Sequence, residues 1–165
     1  MKLSAEFLSS VSTVGAYPRW NRAEVALAGR SNVGKSSLLN ALVDLPGFGY
    51  AKMARTEAAQ IGILVKDYLT RRQPLRALVL LVDARRGPEE EELALLGIQA
   101  ERPPHYGKPV ATIVAATKSD KLRRSQRNAA IKRFAEFGIE PIMCSALSGE
   151  GIELLRRRIM AVAGE

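Results

Sequence analysis

The chain has 165 residues, a length that fits one domain with a sizeable buried core and leaves no room for two ordinary ones. Hydrophobic residues make up 47% and charged residues 25%, the balance of an ordinary globular domain rather than of a disordered or fibrous chain. A net charge of +8 is compatible with a polyanionic partner and equally with a surface that is simply basic. No stretch reaches the roughly 18 apolar residues that a membrane span needs, and Met1–Arg19 lacks the apolar centre of an export signal, so a cytoplasmic protein without membrane contact is expected. One cysteine, Cys144, and one histidine, His105, exclude an internal disulfide and are a poor basis for a zinc site.

Short apolar runs follow one another at Val25–Ala28, Leu42–Val43, Ala77–Val82, Val110–Ala116 and Ile139–Cys144. They are continuous rather than alternating, as in parallel strands covered on both faces. Helical stretches lie between them. The order predicts a three-layer α/β fold, a mainly parallel central sheet flanked by helices, with ligands beyond the carboxyl ends of the strands.

The first run leads into Gly29-Arg30-Ser31-Asn32-Val33-Gly34-Lys35-Ser36-Ser37, which fits the phosphate-binding pattern G-x-x-x-x-G-K-[ST] in the strand-to-helix setting that the pattern requires. Its glycines let backbone N–H groups turn inward on phosphates, and the following helix presents its positive end to the same charge. Lys35 is the expected counter-charge for the β and γ phosphates and the catalytic side chain. Ser36 is the expected hydroxyl ligand of Mg²⁺. Next come Asp44-Leu45-Pro46-Gly47, where Asp44 is expected to hold the Mg²⁺ through water and the N–H of Gly47 to meet the γ-phosphate.

Between these two motifs the chain is short. Lys35, Ser36 and Ser37 open a helix expected to run about three turns, yet only a few residues separate Asn40 from Asp44. A segment on the order of 20 residues is expected to be missing near Ala41 and Leu42.

The run Val110–Ala116 ends in Thr117-Lys118-Ser119-Asp120. A carboxylate there accepts from the guanine N1–H and exocyclic amine, a donor pair that adenine lacks, so Asp120 points to GTP and GDP rather than ATP. Lys118 can lay its aliphatic stem along the base. After the last run, Cys144-Ser145-Ala146 offers a backbone N–H to the guanine oxygen. Beyond it, a helix from about Gly151 is expected to bury Ile152, Leu155, Ile159 and Val162 and expose Arg157 and Arg158. Ser125–Phe137 reads likewise, with Ala130, Ile131, Phe134 and Phe137 inward and Lys132 and Arg133 outward.

Together the strings GRSNVGKSS at Gly29–Ser37, VDLPGFGYAK at Val43–Lys52 and TKSD at Thr117–Asp120 resemble the EngB GTPases, in the TrmE-Era-EngA-EngB-Septin-like branch of translation-associated GTPases. The resemblance covers nearly the whole chain, as one G domain over 1–165. It implies a GTPase that assists assembly of the large ribosomal subunit, through that subunit or its RNA, and is needed for normal cell division and septation. A probable monomer is expected. The family's switch segment between the phosphate loop and DLPG, with its Mg²⁺-completing threonine, has no counterpart here. Phe48 stands where many GTPases carry the glutamine that orients the attacking water, which implies slow intrinsic hydrolysis or a binding module with negligible turnover. Asn32 resembles the asparagine that holds K⁺ in potassium-activated relatives, and it serves equally well as a residue that stabilises the loop turn.

Overall fold

The computed structural model describes residues 3–4, 9–44 and 58–164, with the side chains of 3, 4, 44 and 58–60 outside the description. Its centre is β4 (Leu75–Asp83), whose nine residues are almost all buried because helices cover both faces of the sheet. The sheet runs β2 (Glu24–Gly29), β4, β5 (Ala111–Thr117) and β6 (Ile142–Met143), all parallel, with Leu27 opposite Val79, Val79 opposite Ile113 and Ala115 opposite Ile142. A parallel order demands a crossover between strands, and the intervening helices supply it. A separate parallel pair joins β1 (Leu3–Ser4) to β3 (Val43–Asp44).

Alternation along β4 divides the core. Val79 and Leu81 join Leu38 and Leu42 of α1 (Lys35–Leu42) and Ile152 and Leu155 of α5 (Ile152–Ala163) on one face. Leu80 and Val82 meet Phe134 of α4 (Arg127–Ala135), with Leu95 and Leu96 of α3 (Glu90–Ala100) packed alongside. Leu75 and Leu78 meet Leu69 of α2 (Ala58–Arg71). This is the expected three-layer arrangement.

Several local expectations change. Helix α1 has eight residues, about two turns rather than three, and Leu42 is its last residue, so it passes into β3 with no loop between them. Strand β6 occupies two residues of the six-residue run Ile139–Cys144. In α4 only Ala130 and Phe134 are fully buried. Ile131, beside that narrow stripe, is 41% exposed, and Phe137 is 49% exposed because the helix stops at Ala135 and the chain turns at Gly138 (φ 69°). Arg133, expected outside, is half-buried: its Nε is shielded from solvent without a hydrogen-bond partner, and its stem lies against Gly87. Arg157 and Arg158 are exposed, as expected. Among the described residues no helix is long and apolar enough to cross a membrane.

Candidate functional site

The carboxyl ends of β2, β5 and β6 converge, and their three loops carry the sequence motifs. Strand β2 ends at Gly29, where a Cβ would come within 2.7 Å of Leu81 O, so the strand and loop can sit this close only without a side chain. Asn32 (φ 63°) and Gly34 (φ 102°) then adopt left-handed conformations that curl the chain into the start of α1. Left-handed backbone costs Asn32 roughly 1–2 kcal/mol, and such a kink persists where surrounding bonds fix it.

Two of those bonds come from β5. The buried Thr117 hydroxyl donates to Val33 O at 2.7 Å, and the Lys118 ammonium donates to Asn32 O at 2.6 Å. Lys118 is itself left-handed (φ 59°), and its ammonium lies 3.9 Å from the Asp83 carboxylate at the end of β4. Burial works against the charge on Asp83, but hydrogen bonds from Arg85 and the charges of Arg85 and Lys118 outweigh it and hold the carboxyl below its ordinary range. Asp83 therefore faces Lys118 as a carboxylate.

Lys35, the first residue of α1, folds back over the loop and donates to Gly29 O and Arg30 O at 2.6 and 2.7 Å. Burial lowers its affinity for a proton, with Glu91 opposing the shift. Ser36 is half-buried beside it, and its hydroxyl has no hydrogen-bond partner among the described residues. Arg30 is paired with Glu89 and reaches Glu91, at the start of α3.

After Thr117 a short 3-10 turn, Ser119–Lys121, carries Asp120. Its Oδ1 accepts a hydrogen bond from Ser145 Oγ at 2.7 Å, while the backbone N–H of Ser119 donates to Cys144 O at 3.0 Å. The loop after β6 and the loop after β5 are thus stitched together at Cys144 and Ser145. Cys144 is fully buried, and burial pushes its thiol up to about 12.

These loops enclose two adjoining pockets. One, of about 360 Å³, is lined by Gly34, Ser37, Thr117, Lys118, Asp120 and Ala146 among others, with Leu147 at its rim. The second, of about 320 Å³, is lined by Asn32, Lys35 and Ser36, and shares Gly34, Ser37 and Lys118 with the first. An apolar slot with a carboxylate at one end thus opens into a turn of inward backbone and one ammonium. That is a shape for a base joined to phosphates. A larger cavity, about 570 Å³, lies elsewhere, between β2, α2 and Tyr17–Trp20. Its polar side chains are engaged with one another, Glu24 accepting from Trp20, Tyr68 and Arg72.

Of the expected site residues, Gly29–Ser37, Thr117–Asp120 and Cys144–Ala146 come together around these pockets. Asp44 lies in β3, with its side chain outside the described residues. Leu45, Pro46, Gly47 and Phe48 also fall outside them. The sequence reading passed over Asp83, although a strand-ending acid after Ala77–Val82 was a visible signal. It also passed over Leu147 and Glu150, for which no spacing rule exists.

A parallel three-layer sheet whose first long strand delivers a glycine loop to a helix N-terminus, with a base-side carboxylate two strands away, defines a P-loop GTPase domain. Comparison with known proteins agrees and narrows the class. The family model described as "50S ribosome-binding GTPase" matches residues 24–44. A "Probable GTP-binding protein EngB" from Exiguobacterium sp. is 36% identical over 201 aligned positions, covering 100% of this chain and 99% of that protein. The protein of the same description from Pelotomaculum thermopropionicum is 39% identical, covering 91% of this chain and 90% of its own. A crystal structure described as a probable GTP-binding protein engB superposes with a TM-score of 0.61 at 25% identity, over 84% of this chain and 97% of that one. The chain belongs to the EngB family. Its alignment to the Exiguobacterium protein is longer than its own 165 residues, so that relative carries positions with no counterpart here.

Proposed function

We propose that this GTPase binds GTP and GDP in the two adjoining pockets and acts as a slowly hydrolysing switch in large-subunit ribosome assembly. The observation that carries the reading is the Asp120 carboxylate, held by Ser145 in the lining of a pocket that adjoins the one lined by Lys35. Guanine satisfies that carboxylate with two donors, whereas adenine offers it no such pair. Backbone N–H groups of Arg30–Gly34 and the start of α1 take the phosphates. Lys35 exchanges two neutral loop carbonyls for the charged β and γ oxygens, so that both partners of the bond are then ionised.

The residues present fit a magnesium ion in part. Ser36 offers a hydroxyl without a hydrogen-bond partner among the described residues, next to Lys35, and Asp44 is the acid that the sequence pairs with it. Held by Ser36 and Asp44, Mg²⁺ would supply positive charge to offset the negative charge of the phosphates during hydrolysis. Asn32, exposed at the loop, would offer its side-chain carbonyl to K⁺ in this reading. Hydrolysis in KCl against NaCl at matched ionic strength tests that role, and equal rates would leave Asn32 as a turn residue only.

Phe48 has no group to orient water, so intrinsic turnover is slow and a partner accelerates it. The family model's description supports a ribosomal partner. In this reading residues 1–165 form one monomeric, cytoplasmic G domain that lacks the segment before β3, and loss of the protein impairs septation. Phe48 also favours a second reading, a ribosome- or RNA-binding module with negligible turnover. Multiple-turnover phosphate release with and without large subunits separates the two: acceleration supports the switch, and none supports the module. For the site itself, Lys35→Ala should abolish triphosphate binding while leaving the melting temperature of the nucleotide-free protein within a few degrees. A collapse of that temperature would make Lys35 a structural residue instead.

A further inference from the structure

The loop after β6 contains a side chain that lines neither pocket and still holds both base-side loops. Glu150 uses its backbone and its carboxylate on different partners. Its carbonyl oxygen accepts from Ser145 N at 2.9 Å, and its Oε2 accepts from the buried Ser119 hydroxyl at 2.6 Å. Those two serines flank the base-reading carboxylate: Ser119 immediately precedes Asp120 in the chain, and Ser145 Oγ donates to Asp120 Oδ1. Arg127, the first residue of α4, pairs with both carboxylate oxygens of Glu150. With an arginine fork on one side and a hydroxyl donor on the other, Glu150 stays an ionised acceptor, and its carboxyl sits below the ordinary range for those two reasons.

We propose that Glu150 is a positioning residue for guanine recognition, setting the Asp120 carboxylate through Ser119 on one side and Ser145 on the other, with Arg127 fixing Glu150 in turn. Lys118 shows why such a brace is needed. It takes a left-handed conformation directly before Ser119, and a non-glycine residue holds that conformation only where its neighbours are pinned. Ser119 is pinned twice, by its N–H on Cys144 O and by its hydroxyl on Glu150. Gly149 and Gly151 on either side of Glu150 have positive φ (82° and 71°), and a Cβ on Gly151 would run into Met143 O. The backbone of Glu150 is held between them from both sides, its N–H donating to Ser148 Oγ at 3.3 Å and its carbonyl accepting from Ser145 N. Removing the brace leaves Asp120 in place chemically while freeing it to move, and the interaction most sensitive to that freedom is the two-point contact with the N1–H and exocyclic amine of guanine.

This inference rests on the assignment of Asp120 as the base-reading group. Its test compares GDP with IDP, whose hypoxanthine base lacks the exocyclic amine, on wild type, Glu150→Gln, Ser119→Ala, the double variant and Asp120→Ala. Glu150→Gln should weaken GDP binding about tenfold and IDP binding by less than about threefold, since a loosened carboxylate loses the second donor first. Ser119→Ala, which removes only the hydroxyl link, should narrow the GDP-to-IDP ratio in the same direction. The double variant should be no weaker than the weaker single one, because both cut one path. Should Glu150→Gln fail to fold, Ser119→Ala decides alone. GDP affinity within twofold of wild type in the folded variants, or equal losses for GDP and IDP, would overturn the proposal. The Asp120→Ala arm separates the two levels: if it leaves the ratio intact, the base-reading assignment itself fails, whereas a ratio that collapses only in Asp120→Ala removes Glu150 from its role and keeps the assignment.

Discussion

Thr117 and Val33 stand 84 positions apart in the chain, and the buried hydroxyl of one donates to the carbonyl of the other at 2.7 Å, tying the end of β5, which leads into the turn with Asp120, to the glycine loop after β2. The same hydroxyl lies 3.3 Å from Val82 O in β4, so two strands and the glycine loop meet at it. Thr117→Val keeps the shape and removes the donor, leaving a buried carbonyl unmatched. The expected cost is about 1–3 kcal/mol of stability with a parallel loss of nucleotide affinity. Chemical denaturation and GDP titration measure both, and an unchanged midpoint would show that a water replaces the hydroxyl.

Asp120→Asn exchanges an acceptor for a group that both donates and accepts, which mismatches guanine and suits xanthine. Ser145 Oγ still has an oxygen to donate to, so the loop keeps its shape. Guanine nucleotide affinity should fall by at least tenfold, with xanthosine diphosphate becoming the better ligand, as competition binding would show. A base preference that does not move would take Asp120 out of the site.

Acid sensitivity should trace in part to the far end of β2. Burial disfavours the Glu24 carboxylate, but hydrogen bonds from Arg72, Tyr68 and Trp20, together with the Arg72 charge, reverse the balance and lower its pKa from the ordinary 4.5. A folded value below the unfolded one means that the contribution is whole above about pH 4.5 and is lost as pH falls through the folded value. Glu24→Gln should therefore flatten the acid limb of the stability curve. Asp83 and Glu150, also depressed, keep some slope in the variant. Identical acid limbs for wild type and variant would contradict the assignment.

Docking on ribosomal RNA should draw on exposed cations outside the nucleotide loops. Lys132, Arg157 and Arg158 are such residues, whereas Arg133 is occupied against Gly87. Reversing those three to Glu should weaken large-subunit binding and reduce its salt dependence while leaving GDP affinity intact. Arg133→Glu should instead lower stability, because the stem is partly buried. Wild-type binding by the triple reversal would place the contact elsewhere.

Much of this was readable in the chain because the signals are local. Ala77–Val82 is a continuous apolar run since helices cover both faces of β4, and the glycine loop fits its pattern since phosphate binding needs backbone at fixed spacing. Reading failed where a neighbour distant in sequence decides. The helical period carries on to Phe137, beyond the end of α4 at Ala135, and Ile131 sits beside an apolar stripe narrow enough that only Ala130 and Phe134 are fully covered. Arg133 was assigned to solvent because nothing in its own helix announces Gly87. Asp83 and Glu150 carry no motif, and their roles exist only once the strands have brought Lys118 and Ser119 to them.

The ammonium of Lys118 rests on Asn32 O, within the phosphate loop, while its stem borders the base pocket. In the proposed function, one side chain would therefore take part in both halves of ligand recognition. The coupling is reciprocal by thermodynamic necessity: whatever the base does to steady Lys118 improves the phosphate loop, and whatever phosphates do to the loop changes the welcome given to the base. Affinity for a nucleoside and affinity for a bare polyphosphate should then fail to add up to affinity for the nucleotide, and selection cannot retune one half of this site without moving the other.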